Sequence, residues 1–116
     1  MADADCIFCK IASGDIAADI VAESDAAVAF RDLTPQAPTH VLVIPRDHYA
    51  NLAEVAAADG TGVSAMVRLA AEVAEIEGID TSGYRLVANT GPDAHQTVMH
   101  AHLHVLGGRA MGWPPG

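Results

Sequence analysis

The chain is short of positive charge. Only 6 Lys+Arg stand against 15 Asp+Glu, for a formal net charge of −9. Binding along a phosphate backbone needs clustered Lys and Arg. No such cluster occurs, so no polynucleotide partner is expected. A single small nucleotide remains open, because local donors rather than net charge hold one phosphate. No apolar run approaches the roughly 20 residues that span a bilayer. Met1-Ala2-Asp3-Ala4-Asp5 lacks the basic-then-apolar order of a secretory leader. The expectation is a cytoplasmic protein without a membrane partner. The 2 cysteines both fall in Cys6-Ile7-Phe8-Cys9, which argues against a disulfide framework and suits a reducing compartment. No Gly-x-x-x-x-Gly-Lys loop or acidic metal pair occurs, so Mg²⁺-dependent triphosphate chemistry is not indicated.

What is present is apolar residue and histidine. At 116 residues, 51% of them hydrophobic, the chain suits one domain (1–116) with one core. A mean hydropathy of +0.24 leaves apolar surface that a second copy can bury. Of the 6 histidines, 3 fall in Gln96-Thr97-Val98-Met99-His100-Ala101-His102-Leu103-His104-Val105-Leu106. Alternation there predicts a strand with His100, His102 and His104 on one face and Met99, Ala101, Leu103 and Val105 on the other. His100 and His104 would then be roughly 13 Å apart at Cα, so one zinc could take all three rings only across a sharp bend. Two histidines plus a ligand from elsewhere is easier. The other chemistry open to them is nucleophilic: one neutral imidazole attacks phosphorus while a neighbour donates to a phosphate oxygen.

The rest of the chain reads as follows. Cys6 to Ser13 is a short helical turn or loop ended by Gly14. Cys6 and Cys9 are a redox pair, two inert thiols, or half of a zinc site completed by histidines. Ile20–Glu23 and Ala27–Phe30 are short strands around a Ser24-Asp25 turn. Asp32 follows, as a solvated turn aspartate or as an acceptor for a ligand's hydroxyls. Leu33 to Pro38 is a proline-fixed loop, and His40–Ile44 a central strand ended by Pro45. Asn51–Ala58 is a short helix, interrupted by Gly60-Thr61-Gly62. Ser64–Glu77 is the long helix, with an apolar stripe of Val63, Met66, Val67, Ala70, Val73 and Ala74. Tyr84–Ala88 is a strand. Asn89 to Gln96 is a polar loop whose backbone N–H groups can hold an anion. The order β-β-β-α-β-β predicts an α+β fold: a five-stranded antiparallel sheet with one long and one short helix.

His100-Ala101-His102-Leu103-His104-Val105-Leu106 resembles the signature of the histidine-triad (HIT) family. Asp32-Leu33-Thr34-Pro35-Gln36-Ala37-Pro38-Thr39-His40-Val41-Leu42-Val43-Ile44-Pro45 and the tail Gly107 to Gly116, with Trp113-Pro114-Pro115-Gly116, resemble its histidine triad nucleotide-binding (Hint) branch. That resemblance implies a HIT-like fold pairing about a two-fold axis, with tail 107–116 reaching the dimer interface. It implies a purine nucleoside phosphoramidase acting on nucleoside 5′-monophosphate P–N bonds. His102 would attack the α-phosphorus to form a covalent nucleotidyl-histidine. His104, Asn89 and Thr97 would meet phosphoryl charge, with Thr97 or Gln96 touching the leaving group. His100 would complete the triad and His40 would sit behind it. Ile7, Phe8, Phe30 and Leu33 would line the base pocket, and Asp32 would hold the ribose. No cofactor would be required for catalysis. A structural zinc on Cys6, Cys9, His48 and His100 is implied by bacterial relatives.

The alternatives are a dinucleoside polyphosphate hydrolase or nucleotidyl transferase of the same family, a non-catalytic nucleotide-binding regulatory module, and a zinc protein with every histidine a ligand. The Trp-Pro-Pro-Gly tail and the Pro-Gln-Ala-Pro loop favour the phosphoramidase. Two residues depart from the family pattern. His95 replaces a small residue, usually glycine, and Met99 stands where aromatics are common. Both bear on the leaving group more than on the reaction class.

Overall fold

Period-two patterning divides a five-stranded antiparallel sheet into two faces. The computed structural model describes residues 3–58 and 60–116. The strands β1 (Ile20–Glu23), β2 (Ala27–Arg31), β3 (Thr39–Pro45), β4 (Tyr84–Val87) and β5 (Leu103–Gly107) lie in the order β1-β2-β3-β5-β4. Every residue of β3 is buried, as the continuous apolar run predicts for a central strand. Ala27, Ala29, Val41, Val43, Leu103 and Val105 form one face and pack under helix α3 (Thr61–Ile76). Residues of opposite parity, Val28, Phe30, Leu42 and Ile44, pack with Phe8 of helix α1 (Ile7–Ser13). By the same parity His40 and His104 belong to the α1 side, beyond that apolar patch.

The predicted α+β sheet is the one found, but three helices accompany it where one long and one short were expected. The segment read as a short helical turn or loop is the helix α1, made helical by its ends. The Cys6 sulfur accepts the Cys9 N–H at 3.4 Å, and Gly14, at φ 86°, returns its N–H to the Ile11 carbonyl. Helix α2 (Leu52–Ala58) starts after Asn51, whose side chain accepts the Glu54 N–H while Glu54 accepts from Ala50. Helix α3 begins at Thr61 rather than Ser64. Gly62 lies inside it because a Cβ there would come within 2.8 Å of Val55 on α2. Its buried stripe includes Leu69 in place of Val67, which is 44% exposed.

The histidine strand is also shorter than its alternation predicts. Regular pairing starts only at Leu103, and residues 98–100 form a bend. Two ties pull the segment away from the sheet toward the β3–α2 connection. The Gln96 amide donates to the carbonyls of Ala50 and Val98, and the Ala101 N–H donates to Tyr49 at 2.7 Å. Ala101, Leu103 and Val105 still meet the core as expected.

Leu69→Ala should lower the unfolding free energy by about 2–5 kcal/mol in urea titrations. Val67→Ala should change it by only about 0.5 kcal/mol, which checks the orientation of α3.

Candidate active site

The register of β3 and β5 pairs His40 with Leu106 and Leu42 with His104. The two histidines are therefore diagonal neighbours on one face. Their rings bond through His40 Nε2 and His104 Nδ1 at 2.8 Å. The protons on this pair follow from a backbone amide. The Gln36 N–H donates to His40 Nδ1 at 3.0 Å, so His40 carries its proton on Nε2. That proton is donated to His104 Nδ1, and the neutral His104 ring keeps its own on Nε2. Asp32 Oδ2 stands 3.5 Å from His40 Nε2 and its Oδ1 accepts the Thr34 N–H, which fixes the carboxylate beside the pair.

His102 precedes the strand. Its Nδ1–H donates to the His100 carbonyl at 2.7 Å, which selects the tautomer that places the lone pair on Nε2. Its ring is held edge-on by Phe8 at 5.3 Å and by His104 at 5.1 Å between centroids. Burial, then the neighbouring His102 and His40, push His104 down to about 4 against the opposing pull of Asp32. Burial also lowers His40, again with Asp32 opposing. These environments keep the pair neutral at physiological pH.

His40, His102 and His104 line a cleft of about 490 Å³ with Asp32, Asn89, His95 and Thr97. An apolar groove of about 350 Å³ adjoins it, lined by Ile7, Phe8, Phe30, Leu33 and Leu42. Asp32, Thr34 and Thr97 border both. Phe8 and Phe30 meet edge to face at 5.5 Å, giving the groove a flat apolar wall.

Two residues expected at this site lie elsewhere. Gln96 is buried, and its amide is consumed by Gly91, Ala50 and Val98. It shapes the loop and does not line the cleft. His100 is fully buried on the far side of the bend, away from the cleft that His102 and His104 share. Sequence reasoning missed Gln36, whose contribution is a main-chain N–H that no residue type advertises. It also missed Thr34, Val87 and Leu106, which complete the cleft.

A family model described as HIT domain matches residues 13–111. The chain belongs to the HIT family. It is 45% identical over 106 residues to the purine nucleoside phosphoramidase of Escherichia coli (strain K12), covering 91% of this chain and 89% of that protein. It is 43% identical over 116 residues to a 14 kDa zinc-binding protein of Zea mays, covering 98% and 90%. Among solved structures it resembles a HIT family hydrolase from Legionella pneumophila, with a TM-score of 0.91, 47% identity, and 97% and 100% of the two chains covered.

The bend gives this HIT protein a second cluster. His100 Nδ1 lies 3.3 Å from the Cys6 sulfur and 3.5 Å from that of Cys9, and His48 Nδ1 lies 3.3 Å from Cys9. The four ligand atoms fall within 4.8 Å of one another. A tetrahedral zinc with bonds of ~2.3 Å to sulfur and ~2.0–2.1 Å to nitrogen sets S···N edges near ~3.5 Å, so the donor set fits that ion. His100 Nε2–H donates to the Pro45 carbonyl at 2.9 Å, which orients Nδ1 toward the sulfurs. Both cysteines are free thiols, and burial raises Cys9.

A pH dependence follows from His104. The unfolded ring takes a proton near the ordinary value of about 6.5, the native ring only near about 4. Between these values the unfolded state binds more protons, so stability should rise with pH across the window and fall as pH drops through it. Urea titrations in chelator should show this slope, and His104→Asn should flatten it. ¹⁵N NMR should find the native ring protonated on Nε2 alone down to about pH 4.

Proposed function

We propose that this HIT protein is a purine nucleoside phosphoramidase that works through a covalent nucleotidyl-histidine on His102. The observation that carries the reading is the His102 ring, with Nδ1 bound to the His100 carbonyl and Nε2 left as a nucleophile in the cleft. The similarity to a phosphoramidase supports the same chemistry. His102 Nε2 attacks the α-phosphorus, and the P–N bond to the amine breaks. Water then cleaves the P–Nε2 bond and releases the nucleoside monophosphate. Splitting the hydrolysis in two replaces water by a better nucleophile in the first step. The His104 Nε2–H, the Asn89 amide and the Thr97 hydroxyl meet negative charge on the phosphoryl oxygens.

The nucleotide is proposed to lie across both cavities. The purine fills the groove of Ile7, Phe8, Phe30 and Leu33, Asp32 accepts from the ribose at the shared border, and the phosphate faces His102 and His104. His40 positions His104. We further propose that residues 1–116 act as one domain and that two copies pair. Strand β4 is an edge strand. The tail beside it is held by Arg85, which donates to the Gly112 carbonyl at 2.8 Å and lies 5.9 Å from the Trp113 ring. Trp113 remains 83% exposed, available to a partner.

Zinc is proposed as a structural ion on Cys6, Cys9, His48 and His100, where it would fix α1 and the bend. The catalytic steps are assigned to the histidines without a cofactor. Among the described residues no helix is long and apolar enough to cross a membrane, and two free thiols suit the reducing cytoplasm.

On an adenosine 5′-phosphoramidate, His102→Ala should lose at least ~10³-fold in kcat/KM and still bind AMP in calorimetry. Wild-type protein with no turnover would instead leave a binding module. Chelation should lower the Tm, because zinc binds only the native site, and turnover should survive; His48→Ala should lose the zinc in elemental analysis. Deleting residues 109–116 should weaken dimerisation in sedimentation and shift substrate preference.

A further inference from the structure

His95 is the one non-glycine residue among those described with a positive φ, at φ 63° and ψ 39°. It closes the 3-10 turn Pro92–Ala94 by donating its N–H to the Pro92 carbonyl at 3.0 Å. Glycine meets that backbone requirement without strain, and asparagine tolerates it. The turn therefore does not need an imidazole. The ring is exposed and lines the cleft with His102 and His104. Among the described residues it has no hydrogen-bond partner. Strain retained where a side chain faces a site is a reason to look for a task for that side chain.

The division of the two cavities locates the task. The groove takes the base, the Asp32–Thr97 border the sugar, and His102 and His104 the phosphate. The part of the cleft that remains, with His95, Val87 and Leu106, is left for whatever departs from phosphorus. An amine expelled from a P–N bond must acquire a proton. His102 is occupied by bonding to phosphorus. The two nitrogens of His40 are committed to Gln36 and His104. His104 accepts on one nitrogen and is half-buried, and the loss of water around it holds its ring neutral. Asp32 faces His40 and the Thr34 amide. His95 is the remaining titratable group in the cleft.

We propose that His95 is the proton donor to the leaving group, which fits the site to basic alkyl amines. This rests on the phosphoramidase reading. As the His102 Nε2–P bond forms and the P–N bond breaks, protonated His95 passes its proton to the departing nitrogen, which leaves as a neutral amine. The neutral His95 ring then takes a proton from the water that attacks phosphorus. The P–Nε2 bond breaks, the monophosphate departs, and both rings return to their starting states.

The test compares two substrates with the same nucleotide. One is an adenosine 5′-monophosphate alkylamidate; the other is the 4-nitrophenyl ester, whose phenolate departs without a proton. Wild type, His95→Gly and His95→Asn are assayed for the ratio of kcat/KM on the amidate to that on the ester. Both variants should lower the ratio roughly 100-fold, with the Tm of His95→Gly equal to or above wild type. An unchanged ratio, or equal loss on both substrates, overturns the proposal. So does a wild-type ratio in His95→Asn, which would reduce the residue to a hydrogen-bond donor. If wild type turns over neither substrate, the phosphoramidase reading fails first and this one falls with it.

Discussion

The site depends on a tie between two backbone segments. The Ala101 N–H bonds the Tyr49 carbonyl at 2.7 Å, and the buried Gln96 amide holds the same stretch against Ala50. Without that tie the alternating histidines could continue as one straight strand. With it, the chain bends before Leu103. His104 enters the sheet, His102 stops at its mouth, and His100 turns back toward α1. One short run of sequence thereby furnishes both a cleft and a cysteine–histidine cluster. The His100 residue joins them: its ring faces the sulfurs while its carbonyl holds the His102 ring.

The second organising element is a directed line of hydrogen bonds. It starts at the Gln36 amide, passes through both nitrogens of His40 and ends at the His104 Nε2–H. Each bond decides the tautomer of the next ring. Burial favours the neutral form of each ring, and Asp32 limits how far the shift goes. The neutral His104, with its Nε2–H donor, thus stands beside the His102 ring. That arrangement suits an incoming phosphorus bearing anionic oxygens.

Much of this was legible in the residues. The nearly continuous apolar run His40 to Ile44 placed β3 at the centre of the sheet, and the family resemblance set His40 behind the triad. The apolar partners Ala101, Leu103 and Val105 were readable from their alternation with the histidines. The cysteine–histidine set was recognisable only through the family resemblance, since Cys6 and His100 are far apart in sequence. What sequence did not disclose came from main-chain atoms and long-range ties. The Gln36 amide, the Pro45 and His100 carbonyls and the Tyr49 bond carry no side-chain signature. Gln96 was expected at the site through the resemblance, and its amide is spent on backbone. Val67 and Leu69 were exchanged because one helical stripe admits small rotations that only packing decides.

Phe8 touches more than the apolar groove. It stands between Cys6 and Cys9 on α1 and meets Phe30, His100 and His102 edge-on, at 5.5, 5.8 and 5.3 Å between centroids. A single aromatic side chain is therefore common masonry to the apolar groove, the histidine of the sulfur cluster and the His102 ring. No substitution at Phe8 can resize the groove wall without also disturbing the seating of the other two, whereas Leu33, which also lines the groove, is almost fully exposed.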